Sequence, residues 1–193
     1  MIIDAHFHAW QPSRGDYGWL TPALGAICRD VSIADWQAQA LPEGVHGGVV
    51  VQAAATEAET EFLLGAASAS PAVLGVVGWT DLSTPRAPAR VRALGERRKL
   101  KALRPMLQDI ADPDWILQPA VAPALEAMAD SGLAFDALVK PVHLPRVREL
   151  ARRHPRLRIV IDEADSDSAL RQGMPVTISV DAKPGLSARV GER

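Results

Sequence analysis

Apolar runs of strand length alternate with segments of helical spacing along this chain, and that alternation limits the fold more than any other feature. Strands are expected at residues 2–8, 45–53, 73–79, 100–106, 134–139 and 157–162. Val45 to Ala53 has no polar face, which suits a strand covered on both sides. Helices are expected between them. Ser32 can cap one over 33–41, and Thr56 another running to about residue 69, with Glu59 at capping-box spacing. Further helices are expected from Pro88 to Arg98, from Pro123 to Ser131 with Gly132 as its stop, and from Pro145 to His154, ended by Pro155. Residues 10–30, rich in Pro, Gly and Trp, read as a long ordered loop.

Strands and helices that alternate in this way imply parallel strands joined by right-handed crossovers. A doubly wound open sheet and a closed barrel both fit. No Gly-x-Gly-x-x-Gly loop follows a strand, so the dinucleotide-binding version loses support. We expect an α/β chain of (β/α)8 TIM-barrel type, incomplete at about six βα units, since a full barrel needs about 250 residues and this chain has 193. Residues 1–162 form the barrel portion. Residues 163–193 form a divergent C-terminal tail, polar and acidic from Glu163 to Ser168, with one further short strand over 176–180 and a frayed end.

Net charge is −2 and 48% of residues are hydrophobic, which favours neither nucleic acid nor an anionic membrane surface. The basic excess lies in helical segments, as in Arg97-Arg98-Lys99 and Arg152-Arg153, and reads as a solvated outer face or as a rim attracting anions. Cys28 is the one cysteine, so neither an internal disulfide nor a Cys-rich zinc site is available. With no signal-peptide pattern and no apolar stretch of membrane-spanning length, a cytoplasmic location is expected.

The chemistry gathers at strand ends. His6 and His8 are two residues apart on a strand, so both imidazoles face one side and can reach one point, as half of a metal site requires. A role in the active site is the stronger inference, and metal binding the weaker one. His143, between Pro141 and Pro145 after the fifth strand, could be a third ligand, a general base, an oxyanion partner or a packed loop histidine. Arg104, with Gln108 four residues on, suits a substrate carboxylate or oxyanion; an outward salt bridge is the alternative. Trp10 could wall a sugar-sized substrate or simply pack. Trp79 is expected to pack at a strand end, and His46 and His154 fall on the opposite face and read as structural.

Together these segments resemble the amidohydrolase-2 group of barrel hydrolases, in particular its sugar-lactonase branch, which acts on L-fuconolactone and L-rhamnonolactone. The likeness rests on Asp4-Ala5-His6-Phe7-His8-Ala9-Trp10, Val51-Gln52-Ala53 with Glu59 to Leu64, Gly75 to Leu82, Leu103 to Asp109, Gly132 to Leu138 and His143-Leu144-Pro145. It implies cleavage of the cyclic ester of a small sugar lactone by activated water, with or without a divalent metal such as zinc. It would place His6 and His8 at the catalytic centre, tentatively as metal ligands. His143 would meet the carbonyl or the water, and Arg104 with Gln108 would hold the substrate. The likeness stops at Asp162, where the family continues Asp-His-x-x-Lys-Pro and this chain reads Asp162-Glu163-Ala164-Asp165. Asp181-Ala182-Lys183-Pro184 is similar to that motif but lacks the histidine, and the family's strand-eight aspartate has no counterpart. A truncated or frame-shifted lactonase with impaired activity is therefore expected. The rival readings are a metal-dependent non-oxidative decarboxylase of an aromatic acid, an inactive remnant, and a homo-oligomer in which the tail supplies a strand to a second copy.

Overall fold

The computed structural model describes residues 1–163 and the short strand Ile178–Ser179. Six parallel strands run in chain order: β1 (Ile2–Phe7), β2 (Val45–Val51), β3 (Val73–Gly78), β4 (Leu100–Leu103), β5 (Ala134–Val139) and β6 (Ile159–Glu163). A seventh, β7 (Ile178–Ser179), pairs antiparallel with β6. Five helices lie in the crossovers: α1 (Ile33–Ala40), α2 (Glu57–Ser68), α3 (Ala87–Gly95), α4 (Ala122–Asp130) and α5 (Leu144–Arg153). Each strand pairs with the next in sequence. A doubly wound sheet reverses its strand order at a switch point, and this one does not, so the sheet curls as an incomplete barrel. Among the described residues no helix is long and apolar enough to cross a membrane.

Strand alternation sorts side chains onto two faces. Along β5, Phe135, Ala137 and Val139 join the core between sheet and helices, with Val50, Leu63, Val76, Leu103 and Leu125. Ala134 faces the barrel interior, where Val51, Val77 and Ala102 form a smaller cluster. Both faces thus carry apolar side chains, and burying each Leu or Val contributes about 1.5–3 kcal/mol. Under α1, Phe7 stacks on Trp36 with ring centroids 4.1 Å apart, and Trp36 Nε1 donates to Asp4 Oδ2 at 2.8 Å.

Several elements end earlier than expected. The first strand stops at Phe7, the fourth at Leu103 and the third helix at Gly95. Pro105 explains the fourth, because it cannot donate to a ladder. Residues 10–30 hold two short 3-10 turns, Pro12–Arg14 and Pro22–Ile27, rather than plain loop. Ser32 caps α1 through a full capping box with Asp35. Thr56 accepts from the Glu59 backbone, but Glu59 completes no box; its carboxylate turns inward to the Tyr17 hydroxyl at 2.6 Å and the Ala53 N–H at 3.2 Å. That buried carboxyl, pushed up by desolvation, ties the 10–30 segment to α2. Of the expected strand over 176–180, Ile178–Ser179 is seen, pairing with β6 of its own chain; the tail motif at 181–184 lies outside the described residues.

Candidate active site

The residues that follow the strands gather at the C-terminal rim, where barrel active sites are built. There His6 Nε2 lies 2.9 Å from His8 Nε2. His8 Nδ1 sits 2.8 Å from the carbonyl of Val51, so the proton is on Nδ1 and Nε2 is bare. Burial holds the His8 imidazole neutral, its pKa lowered to about 3, and the Arg104 and His6 charges push the same way. His6 is also lowered by burial, against the pull of Asp162, whose Oδ2 lies 3.4 Å from His6 Nδ1. With its proton on Nε2, His6 donates to the bare His8 Nε2; with that proton on Nδ1, toward Asp162, two bare Nε2 atoms converge. Two lone pairs at that distance repel unless one proton or one cation lies between them.

Asp162 is held in turn. Arg104 NH1 donates to Asp162 Oδ2 at 2.7 Å, and NH2 donates to the Gln52 carbonyl at 2.5 Å. The Gln52 amide donates back to the Arg104 carbonyl at 3.0 Å and to Met106 Sδ at 3.2 Å. Arg104 and Gln52 are buried. Asp136, on the inner face of β5, completes this polar layer; burial, reinforced by Asp162 and opposed by Arg104, pushes its carboxyl up to about 7. Arg104 Nε, Gln52 Oε1 and Asp136 Oδ1 are buried without a hydrogen-bond partner.

The structure thus brings His6, His8 and Arg104 into one network; among the described residues His143, Gln108 and Trp10 make no hydrogen bond to it. His143 is buried at the end of the turn Pro141–His143, where its Nδ1 accepts from the Lys140 N–H at 2.9 Å. Lys140 Nζ donates to the Gln108 carbonyl at 2.8 Å, which staples the loops carrying Gln108 and His143 together. Trp10 turns to the 10–30 segment, its Nε1 donating to the carbonyls of Arg29 at 2.9 Å and Ile27 at 3.2 Å, and it borders a cleft against Phe62 and Ala66 of α2. The network members that sequence reasoning passed over are Asp162, Gln52 and Asp136. A single acidic residue inside the apolar run Ala134 to Val139 was the available signal for Asp136.

As a metal site the donors fit in part. Both Nε2 atoms can lie about 2.0–2.1 Å from one zinc ion. Among the described residues, however, no cluster of three or more His, Cys, Asp or Glu side chains is placed to hold a metal.

Comparison with known proteins agrees with this architecture. The L-fucono-1,5-lactonase of Burkholderia ambifaria is 48% identical over 162 residues, covering 84% of this chain and 56% of that protein. The L-fucono-1,5-lactonase of Burkholderia multivorans is 32% identical over 172 residues, covering 84% and 55%. A crystal structure of a Burkholderia multivorans amidohydrolase with bound zinc superposes with a TM-score of 0.75 at 30% identity, covering 84% of this chain and 57% of that one. The chain spans about half the length of the curated relatives it matches. The amidohydrolase family itself matches residues 3–165, from the strand that carries His6 through the strand that carries Asp162, and the chain belongs to that family.

Proposed function

We propose that the site hydrolyses the cyclic ester of a sugar-derived lactone, with His6 and His8 at the reacting centre. The observation that carries this reading is the convergence of the His6 and His8 rings, with their Nε2 atoms 2.9 Å apart, at the end of β1. The two L-fucono-1,5-lactonases support the substrate class.

In this reading a bare Nε2 accepts a proton from the attacking water, and the imidazole pair passes it to the departing ring oxygen. Asp162 orients the His6 ring and offsets the charge that develops on it. Arg104 acts through Asp162 as a positioning residue, since both of its terminal nitrogens are engaged within the barrel. His143 and Gln108, on loops joined by Lys140, would contact the substrate. If a divalent ion is used, His6 and His8 would hold it, and it would polarise the carbonyl and acidify water. The zinc-bound Burkholderia multivorans structure supports this option.

Decarboxylation of an aromatic acid fits less well. A carboxylate pocket needs a free cation, and Arg104 already spends its charge on Asp162.

The test is proton release on adding aldonolactones to the purified chain, with and without Zn²⁺. Turnover above the uncatalysed rate is expected, and His8→Ala lowers it about 10²–10⁴-fold. Carbon dioxide release from aromatic acids without lactone turnover would replace this reading, and no turnover of either would favour an inactive chain.

A further inference from the structure

A cleft of about 400 Å³ opens on the C-terminal rim, between the segments after β2, β3 and β4 and the loop that precedes α1. Neither His6 nor His8 lines it, and the hydrolytic steps above make no use of it. It adjoins the histidine pair through β2. The Val51 carbonyl meets His8, Gln52 donates to Met106, and both Ala53 and Met106 line the cleft. Its volume falls within the range of small-molecule sites, about 300–1,000 Å³.

Two chemistries line the walls. Trp19, Trp79 and Trp115 supply flat apolar surface. Trp19 is fixed by an Nε1 hydrogen bond to the Ala53 carbonyl at 2.8 Å and by edge contacts to Trp10 and Tyr17. A fixed indole covers the C–H face of a saturated ring at little entropic cost. Against it stand acceptors. Asp81 holds the Ser83 N–H at 2.9 Å and its hydroxyl at 2.6 Å on the same oxygen, Oδ1, which leaves Oδ2 for a ligand hydroxyl. Asp109 adds a second carboxylate, while Asp16 is neutralised by its pairing to Arg14. Among the described residues no lysine or arginine lines the cleft.

We infer that this cleft is a subsite for a neutral polyhydroxylated ring, and that Asp81 and Asp109 make it reject the carboxylate form of the same sugar. The inference rests on the hydrolytic reading only for the origin of that anion. Water adds across the acyl C–O bond of the lactone: the acyl carbon gains the hydroxyl, the ring oxygen gains the hydrogen, and the acid releases a proton to solvent. A lactone whose ring sits in the cleft while its ester reaches the adjoining histidine pair therefore opens to an anion beside two carboxylates, and the cleft favours its departure. One unit charge about 4 Å from another in water weakens binding about fivefold. The effect fades as salt screens it.

Tryptophan fluorescence of the full chain tests this with methyl galactopyranoside, which has no ester to cleave, and with galactonate. The neutral ring is expected to perturb the emission and to bind at least about fivefold more tightly than the acid at low salt. The gap should shrink in 0.5 M NaCl and in an Asp81→Asn, Asp109→Asn double variant. Trp79→Ala should weaken both ligands, with an unchanged urea midpoint as the folding control. Equal affinities for the two ligands, no binding of the neutral ring, or a gap that survives both asparagines would overturn the subsite. Lactone turnover is not read in this experiment, so an inactive chain that binds the glycoside refutes only the hydrolytic reading. A turning-over chain that ignores the glycoside refutes only the cleft.

Discussion

Asp136 shows how much one buried carboxyl can set. It sits on the inner face of β5 with Arg104 and Asp162 for neighbours and with Oδ1 unpartnered. Its pKa is raised from the ordinary 3.8 to about 7, first by burial and then by Asp162. Between those two values the native chain keeps a proton that the unfolded chain has released. Stability therefore falls as pH rises through that window and levels off above it. The full swing is about 4 kcal/mol at most, at 1.36 kcal/mol per pH unit. Asp136→Asn should flatten the slope and leave the chain more stable than the parent above pH 7. Urea midpoints at pH 4.5 and 7.5 measure this, and an unchanged slope in the variant would assign the pH dependence elsewhere.

At the scale of elements, β2 and α1 are joined by a contact that allows no side chain. A Cβ at Gly48 would lie 2.6 Å from Trp36 and 2.9 Å from Phe7, inside the stacked pair that closes α1 over the sheet. Gly48→Ala is expected to cost about 1–3 kcal/mol by overpacking, seen as a lowered urea midpoint with the m-value kept. An unchanged midpoint would mean that α1 lifts freely from β2. The strands themselves were legible in their apolar runs because both faces of this sheet bury apolar side chains. The cap of α1 was legible because Ser32 and Asp35 satisfy each other locally. The capping-box spacing of Thr56 and Glu59 misled because Glu59 had a stronger claim inside: a buried carboxylate gains more from Tyr17 and Ala53 than from one more exposed backbone N–H.

The whole sheet has a consequence for association. Among the described residues β1 pairs on one side only, with β2, and Met1, Ile2 and Ile3 are exposed along it. An unpaired apolar edge is a template for a second chain. Concentration-dependent association is expected in light scattering, and Ile3→Lys should weaken it by placing a charge on that edge. A strictly monomeric parent would show that the edge is covered. On the other side, β7 pairs with β6 within the same chain, so the described part of the tail is spent in cis.

From sequence alone, the repeating βα pattern determined the class of fold, and His6-x-His8 on a strand determined that two imidazoles share one face. Both follow from backbone periodicity, which needs no knowledge of neighbours. What only the tertiary structure decided is partnership. Strand order in the sheet chose a barrel over a doubly wound sheet. Arg104 was expected to hold a substrate carboxylate or oxyanion, or else to make an outward salt bridge, yet it pairs inside the barrel with Asp162, 58 residues along the chain. Buried charges take the partners that the fold brings within reach, and those lie on other strands, at separations that spacing along the chain does not encode. The histidine pair and Arg104 could be recognised locally; the carboxylate that joins them, Asp162, could not.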